Sequence, residues 1–295
     1  MRLALSGSTG LVGSAIATAL AAGHAIVPIA RSARPDSIAW DGREQFDAAA
    51  LRACEAIVHL AGAGIADRRW NEARRREIRD SRVVGTAAIA RILAADPGRV
   101  RTLIVASGAG FYGDRGEAEV DERSPCGAGF LASVCHDWEA AADPCRSLVR
   151  VVHLRLGVVL DRRGGALARL LTPARFGLAG ALGSGRQWWP WIGRDDLVGV
   201  VRHVLTDTTL HGAINVVAPQ PVRQVELARA VAAAVGRRAL APPAPAWALR
   251  LALGGMVDDV LLASTRALPG RLARSGFSWS TPSVAEALRG ELARG

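Results

Sequence analysis

The chain contains no lysine; all 37 of its basic residues are arginine. It has one tyrosine (Tyr112), two methionines and four cysteines. No stretch approaches the roughly 20 unbroken apolar residues that a membrane span requires, so no membrane partner is expected. The opening "MRLALSGSTG" reaches glycines and hydroxyls before any long apolar run, which excludes a secretory leader reading. Cys54, Cys126, Cys135 and Cys145 have no metal-type spacing, and no metal site is expected. Four cysteines in a chain this long make no disulfide framework, so reduced thiols in a cytoplasmic compartment are expected. The net charge of +10 and pI near 11.1 invite a nucleic-acid reading. The absence of lysine argues against it: a nucleic-acid surface normally uses both basic residues. An all-arginine chain rich in alanine and glycine is the mark of coding bias in a GC-rich genome.

What is present is enough for a large core, with half of the 295 residues hydrophobic. Short apolar runs alternate with helical stretches. Strands are expected at 2–6, 24–31, 55–62, 100–108 and 148–160. Helices are expected from Leu11 to Gly23, Trp70 to Ala95 and Phe130 to Ala142. This alternation predicts an α/β fold with a Rossmann-type doubly wound parallel sheet. The Val/Ile/Leu-rich runs fit strands covered on both faces. After about residue 160 the rhythm changes to Gly/Pro-rich connections, the cluster "QWWPWI", a strand at 212–219, a helix from Val222 to Val235 and a proline-marked helical tail. The expected organisation is a dinucleotide-binding domain over 1–160 with return segments near 194–220. A smaller, mostly helical lobe over 161–295 follows, with a C-terminal helical domain from about 240.

Between the first strand and first helix stands Gly7-Ser8-Thr9-Gly10-Leu11-Val12-Gly13. Strand, GxxGxxG, then helix is the arrangement of a dinucleotide loop. Gly7 permits the turn, Gly10 lets backbone approach a pyrophosphate, and Gly13 lets helix and strand pack closely. The phosphates then meet free N–H groups at the helix N-terminus. At the end of the second strand, where a carboxylate would accept the ribose hydroxyls of NAD, the chain has Arg31, Ser32 and Arg34. Arginine pairs with a 2′-phosphate, so NADP (NADPH) is expected in preference to NAD. An arginine that only solvates the loop is the alternative.

The motifs "HLAGAG", "DSRVVGT", "SGAGFYGD" and "WIGRDDLVGVV", together with the glycine turn, resemble the extended short-chain dehydrogenases, the group of sugar-nucleotide epimerases and dehydratases. "AGAGIADRRWNEARRREIRDSR", "GSGRQWWPWI" and "GMVDDVLLASTRALPGRLARSGF" resemble its atypical, epimerase-like branch, which has its own C-terminal domain of unknown function. By this resemblance Leu60, Ala61, Glu77, Arg82 and Val159 lie on the cofactor side. Ser107 is the serine that orients a substrate oxygen. Relatives commonly dimerise through a helix pair, which leaves a homodimer open.

The broader family works through a tyrosine and a lysine one helical turn apart. Here those places hold Leu131 and Cys135, counted from Glu139, and Arg82 stands where an asparagine completes a water relay. This pattern departs from the broad family and agrees with the atypical branch. Cys135 is a candidate acid with Arg82 lowering its pKa, or a small buried residue. Tyr112 is a second candidate acid, or a packed loop aromatic. Arg82 stays protonated and can only orient or clamp. The tryptophans at 188, 189 and 191 either floor a cleft or pack a hinge. The expected function is that of an NADP-dependent oxidoreductase on an unidentified small carbonyl or hydroxyl substrate. The alternative is an NADP-binding sensor that catalyses nothing.

Overall fold

The computed structural model describes residues 1–32 and 35–294; Arg34 lies outside them. The first half runs β1 (Arg2–Ser6), α1 (Leu11–Leu20), β2 (Ala25–Ala30), β3 (Ile38–Ala39), α2 (Ala48–Arg52), β4 (Ala56–His59), α3 (Glu72–Ala95) and β5 (Thr102–Gly108). A short 3-10 turn (Ala109–Tyr112) leads to β6 (Glu119–Val120), α4 (Phe130–Ala140), β7 (Arg150–Leu156) and β8 (Val158–Leu160). Then follow α5 (Gly165–Arg175), β9 (Trp188–Trp189), β10 (Trp191–Gly193), α6 (Arg194–Thr206), β11 (Gly212–Val216), β12 (Val222–Arg223) and α7 (Gln224–Ala234). The tail holds α8 (Ala246–Leu253), a π-turn (Asp258–Leu262), β13 (Arg266–Ala267), α9 (Gly270–Arg274) and α10 (Val284–Ala293).

Seven strands form one parallel sheet in the order β11-β7-β5-β4-β1-β2-β3. Successive residues of β1 serve opposite faces, as a strand requires. Leu3 and Leu5 pack in a layer with Ile16 of α1 and Val201 of α6. Ala4 packs in the other layer with Ile89 and Leu93 of α3. The chain therefore returns to the first layer through α6 and β11. A third cluster joins Leu167, Trp189, Trp191, Leu227 and Leu288 in the C-terminal lobe.

One expectation changes. The strand expected over 148–160 breaks at Gly157, where an added Cβ would stand 2.8 Å from the Pro190 carbonyl. Pro190 crosses close there and accepts the Val158 N–H at 2.7 Å, so β8 leaves the main sheet and pairs with β10. The tryptophans divide: Trp189 and Trp191 are core, while the Trp188 ring has the Arg223 and Arg266 guanidinium groups over it at 4.3 and 4.7 Å. Buried Asp196 ties α6 to the tail, accepting from both the backbone and hydroxyl groups of Ser280 and Thr281. Among the described residues no helix is long and apolar enough to cross a membrane.

Candidate cofactor and substrate site

The turn after β1 is built around backbone contacts that exclude side chains. Gly7 has φ of +67°, a region that suits glycine. Its carbonyl accepts the Gly10 N–H at 2.9 Å. A Cβ on Gly13 would stand 2.1 Å from that carbonyl oxygen. Gly10 precedes α1 and offers no side-chain cap, and the first turn of α1 has no acidic residue. Its leading N–H groups therefore face forward from the turn. Ser8 is half-buried and Thr9 exposed; Leu11 and Val12 are half-buried.

The ends of β1 and β4 are joined by a contact that the sequence reading missed. Ser6 Oγ accepts the N–H groups of Leu60 (2.9 Å) and Ala61 (3.1 Å) and lies 2.8 Å from His59 Nδ1. With its lone pairs so used, the hydroxyl donates to Nδ1. Burial pushes His59 down to about 4, which keeps the ring neutral and able to accept. The result places Leu60 and Ala61 against Gly7, whose added Cβ would lie 3.2 Å from Ala61 N. Their signal in the sequence was only a serine and a histidine at two strand ends. At the end of β2, Arg31 and Ser32 are exposed. Gly42 makes room for the Arg31 stem: a Cβ there would lie 2.8 Å from Arg31 Cδ.

On α3, Arg82 and Glu77 serve the loop after β4. Arg82 is buried, donates to Ile78 O at 2.8 Å and Ala63 O at 3.0 Å, and stacks on Trp138. Ser81 Oγ accepts Ala63 N–H at 3.0 Å, so both backbone groups of Ala63 are held from α3. Glu77 is paired with Arg74 at 2.9 Å and with Arg68. Arg74, then Arg68, holds its carboxyl below the usual range. Arg74 also donates to Gly64 O.

Ser107, the expected substrate-orienting serine, and the two candidate acids, Tyr112 and Cys135, are all buried. Ser107 donates to Glu139 Oε1 at 2.7 Å rather than facing a cleft. Arg155 grips both oxygens of Glu139 at 2.8 Å and donates to the Tyr112 hydroxyl at 3.0 Å. Tyr112 in turn donates to Asn215 Oδ1 at 2.6 Å. Tyr112 is fully buried, and burial pushes its phenol up to about 12, so the picture of a phenol swinging toward substrate is replaced by a packed one. Cys135 is also buried. Burial, with a smaller contribution from Glu139, pushes its thiol up to about 11. Arg82 does exert the opposing field, but desolvation outweighs it, which agrees with the alternative of a small buried residue. Val159 is half-buried, pairs with Ile192 across β8 and β10, and packs on the first core layer.

A cavity of about 390 Å³ lies over the N-terminus of α4, against the face that carries Leu131. Gly110, Gly129 and Leu131 line one side; Arg250, Asp258 and Asp259 of the C-terminal lobe line the other. Asp259 accepts the Leu131 N–H at 2.9 Å, and Arg250 pairs with Asp258 at 2.8 Å. None of the C-terminal residues was a candidate from sequence. A second cavity of about 380 Å³ runs along Ala15, Ala19 and Val198 on the outer side of α1 and α6.

A parallel doubly wound sheet with a glycine turn at β1 and a helical C-terminal lobe, but no tyrosine–lysine pair, defines an atypical short-chain dehydrogenase. Residues 3–217 match the NAD dependent epimerase/dehydratase family, and residues 244–290 match a domain of unknown function (DUF1731). The chain belongs to the NAD dependent epimerase/dehydratase family. It is 40% identical over 291 residues to Epimerase family protein Mb2239 of Mycobacterium bovis, covering 97% of this chain and 96% of that one. The crystal structure of human epimerase family protein SDR39U1 (isoform2) with NADPH is similar at a TM-score of 0.89, with 35% identity and 99% of each chain covered. The nucleoside-diphosphate sugar epimerase from Corynebacterium glutamicum is 33% identical at a TM-score of 0.82, covering 100% of this chain and 58% of that one.

Proposed function

We propose that the chain binds NADP(H) and is an oxidoreductase on a small carbonyl or hydroxyl compound, working without a tyrosine–lysine relay. The observation that carries this reading is the glycine turn closed by Gly13 on Gly7, with Arg31 and no carboxylate within "PIARS" at the end of β2. A turn packed this tightly on the start of α1, with no side chain on Gly7, Gly10 or Gly13, fits close approach of a dinucleotide pyrophosphate to the backbone. The NADPH bound to the human relative supports the same cofactor. When bound, the nicotinamide supplies or accepts a hydride. The N–H groups of the turn and of the first turn of α1 hold the phosphates. Arg31 pairs with the 2′-phosphate, and the backbone of Leu60 and Ala61 borders the cofactor. Arg82 and Ser81 fix the loop beside it. The cavity beside Leu131 receives the substrate, where Asp258 and Asp259 accept hydrogen bonds from hydroxyl groups.

The burial of Ser107, Tyr112 and Cys135 supports the second reading, a cofactor sensor that transfers no hydride. One sequence of measurements separates the two. Cofactor-stripped protein is titrated with NADPH and NADH, and again as Arg31→Ala. The expected result is at least about tenfold tighter NADPH binding, worth about 1.4 kcal/mol, lost in the variant. NADPH oxidation is then followed over a panel of carbonyl compounds. Turnover with any of them supports the oxidoreductase; binding without turnover supports the sensor. Failure to bind either nucleotide removes both.

A further inference from the structure

The C-terminal lobe exposes large apolar side chains that the proposed cofactor chemistry does not use. Phe176 is 76% exposed, Leu178 62%, Leu240 76%, Trp247 68% and Leu251 72%. Backbone contacts bring their segments together. Leu240 N–H donates to Gly177 O at 3.4 Å, Arg237 Nε to Arg175 O at 3.2 Å, and Ala244 N–H to Ala181 O at 2.8 Å. The segment with Leu240 thus runs beside the one with Phe176 and Leu178, and α8 starts directly after it at Ala246. Trp247 and Leu251 are four residues apart on α8 and share a helix face. No residue of α8 is fully buried.

The charge beside Phe176, Leu178 and Leu240 is basic, while on α8 Arg250 is paired with Asp258. From Arg162 to Arg194 the chain has six arginines and no carboxylate. From Leu227 to Val257 it has four arginines and again no carboxylate. Arg175, Arg237 and Arg238 are exposed next to Phe176 and Leu240. A two-fold contact with a second copy would set these arginines against their own counterparts, which like-charge repulsion opposes. Protruding apolar groups among arginines match a surface that is apolar within and anionic outside. We infer that this end of the C-terminal lobe docks on an anionic lipid bilayer, with Trp247 and Leu251 among the headgroups and the three arginines on lipid phosphates. The expectation of no membrane partner rested on span length, which excludes crossing the bilayer and leaves surface docking untouched.

The full chain is tested by flotation with phosphatidylcholine vesicles, with and without phosphatidylglycerol. Binding to the anionic vesicles is expected to be about tenfold or more tighter and to fall with salt. The Trp247→Ser/Leu251→Ser double variant is expected to lose about tenfold or more of that affinity. Thermal melting, which needs no cofactor, checks that the variant folds, so the test stands even if the NADP reading fails. Equal binding to both vesicle types, or a folded double variant that binds as well as the parent, overturns the proposal. So does a chain that ignores vesicles while the variant converts a dimer to a monomer, which assigns the face to a second copy.

Discussion

Gly13 and Gly10 occupy the same turn but carry different constraints. A methyl group on Gly13 would meet Gly7 O at 2.1 Å and Gly7 C at 2.7 Å, both backbone atoms fixed by the turn and by α1. A methyl group on Gly10 would meet only Gly7 O, at 3.2 Å, which a small shift relieves. Gly13→Ala is therefore expected to cost about 3 kcal/mol or more, the upper end of overpacking penalties. Gly10→Ala should cost less than about 1 kcal/mol. Denaturant midpoints of the two variants give the comparison, and equal midpoints would show that the turn yields. The same scale explains the proton-handling candidates: residue type suggested acids at Tyr112 and Cys135, and burial raises both groups away from neutral pH.

Helix α4 is fastened at both ends. Asp259 caps its start at Leu131 N–H, and near its end Glu139 joins Arg155 of β7 and Ser107 of β5. Burial pushes the Glu139 carboxyl up, but the Arg155 pair and the Ser107 hydroxyl bring it below its usual value. Glu139→Ala leaves a guanidinium buried without its counter-charge and is expected to destabilise the chain by about 3–5 kcal/mol. Replacing Glu139 and Arg155 together with methionine should recover part of that loss, because no unpaired charge remains. Chemical denaturation of the single and double variants measures this; a double variant no better than the single would mean that the pair itself, rather than the orphaned charge, sets the cost.

Over the whole molecule, two buried histidines set an acid limit. Burial pushes His59 and His153 each down to about 4, against an ordinary value of 6.5. The unfolded chain takes up these protons at the higher pH, and the folded chain only near the lower one. Their contribution to stability is complete above about pH 6.5 and is lost as pH falls toward about 4. The denaturant midpoint should drop from about pH 7 to about pH 5, before most carboxylates titrate. A flat profile across that window would show that the histidines accept protons without unfolding. The lobes should respond as one, since Asp196 and Asn215 bond the large sheet layer to residues 280–281 and Leu268.

Sequence alone was sufficient for the features set by neighbours in the chain. The parallel sheet followed from apolar runs buried on both faces, and the glycine turn from a spacing that local sterics require. The helices expected at 11–23, 70–95, 130–142 and 222–235 were legible to within a few residues because their periodicity is local, whereas α5 and α6 were not expected as helices. The break at Gly157 was not, because Pro190 causes it from more than 30 residues away. The same limit governs the site. Register places Ser107 beside Arg155, and Tyr112 bonds to Asn215 across a separation of 103 residues. The cavity needs α4 and the turn near Asp258 to meet. Whether a serine, a tyrosine or a cysteine faces water or carboxylate depends on those distant meetings, and desolvation raises the pKa of the tyrosine and of the cysteine. Only the tertiary structure could show that the expected proton donors are packed inside.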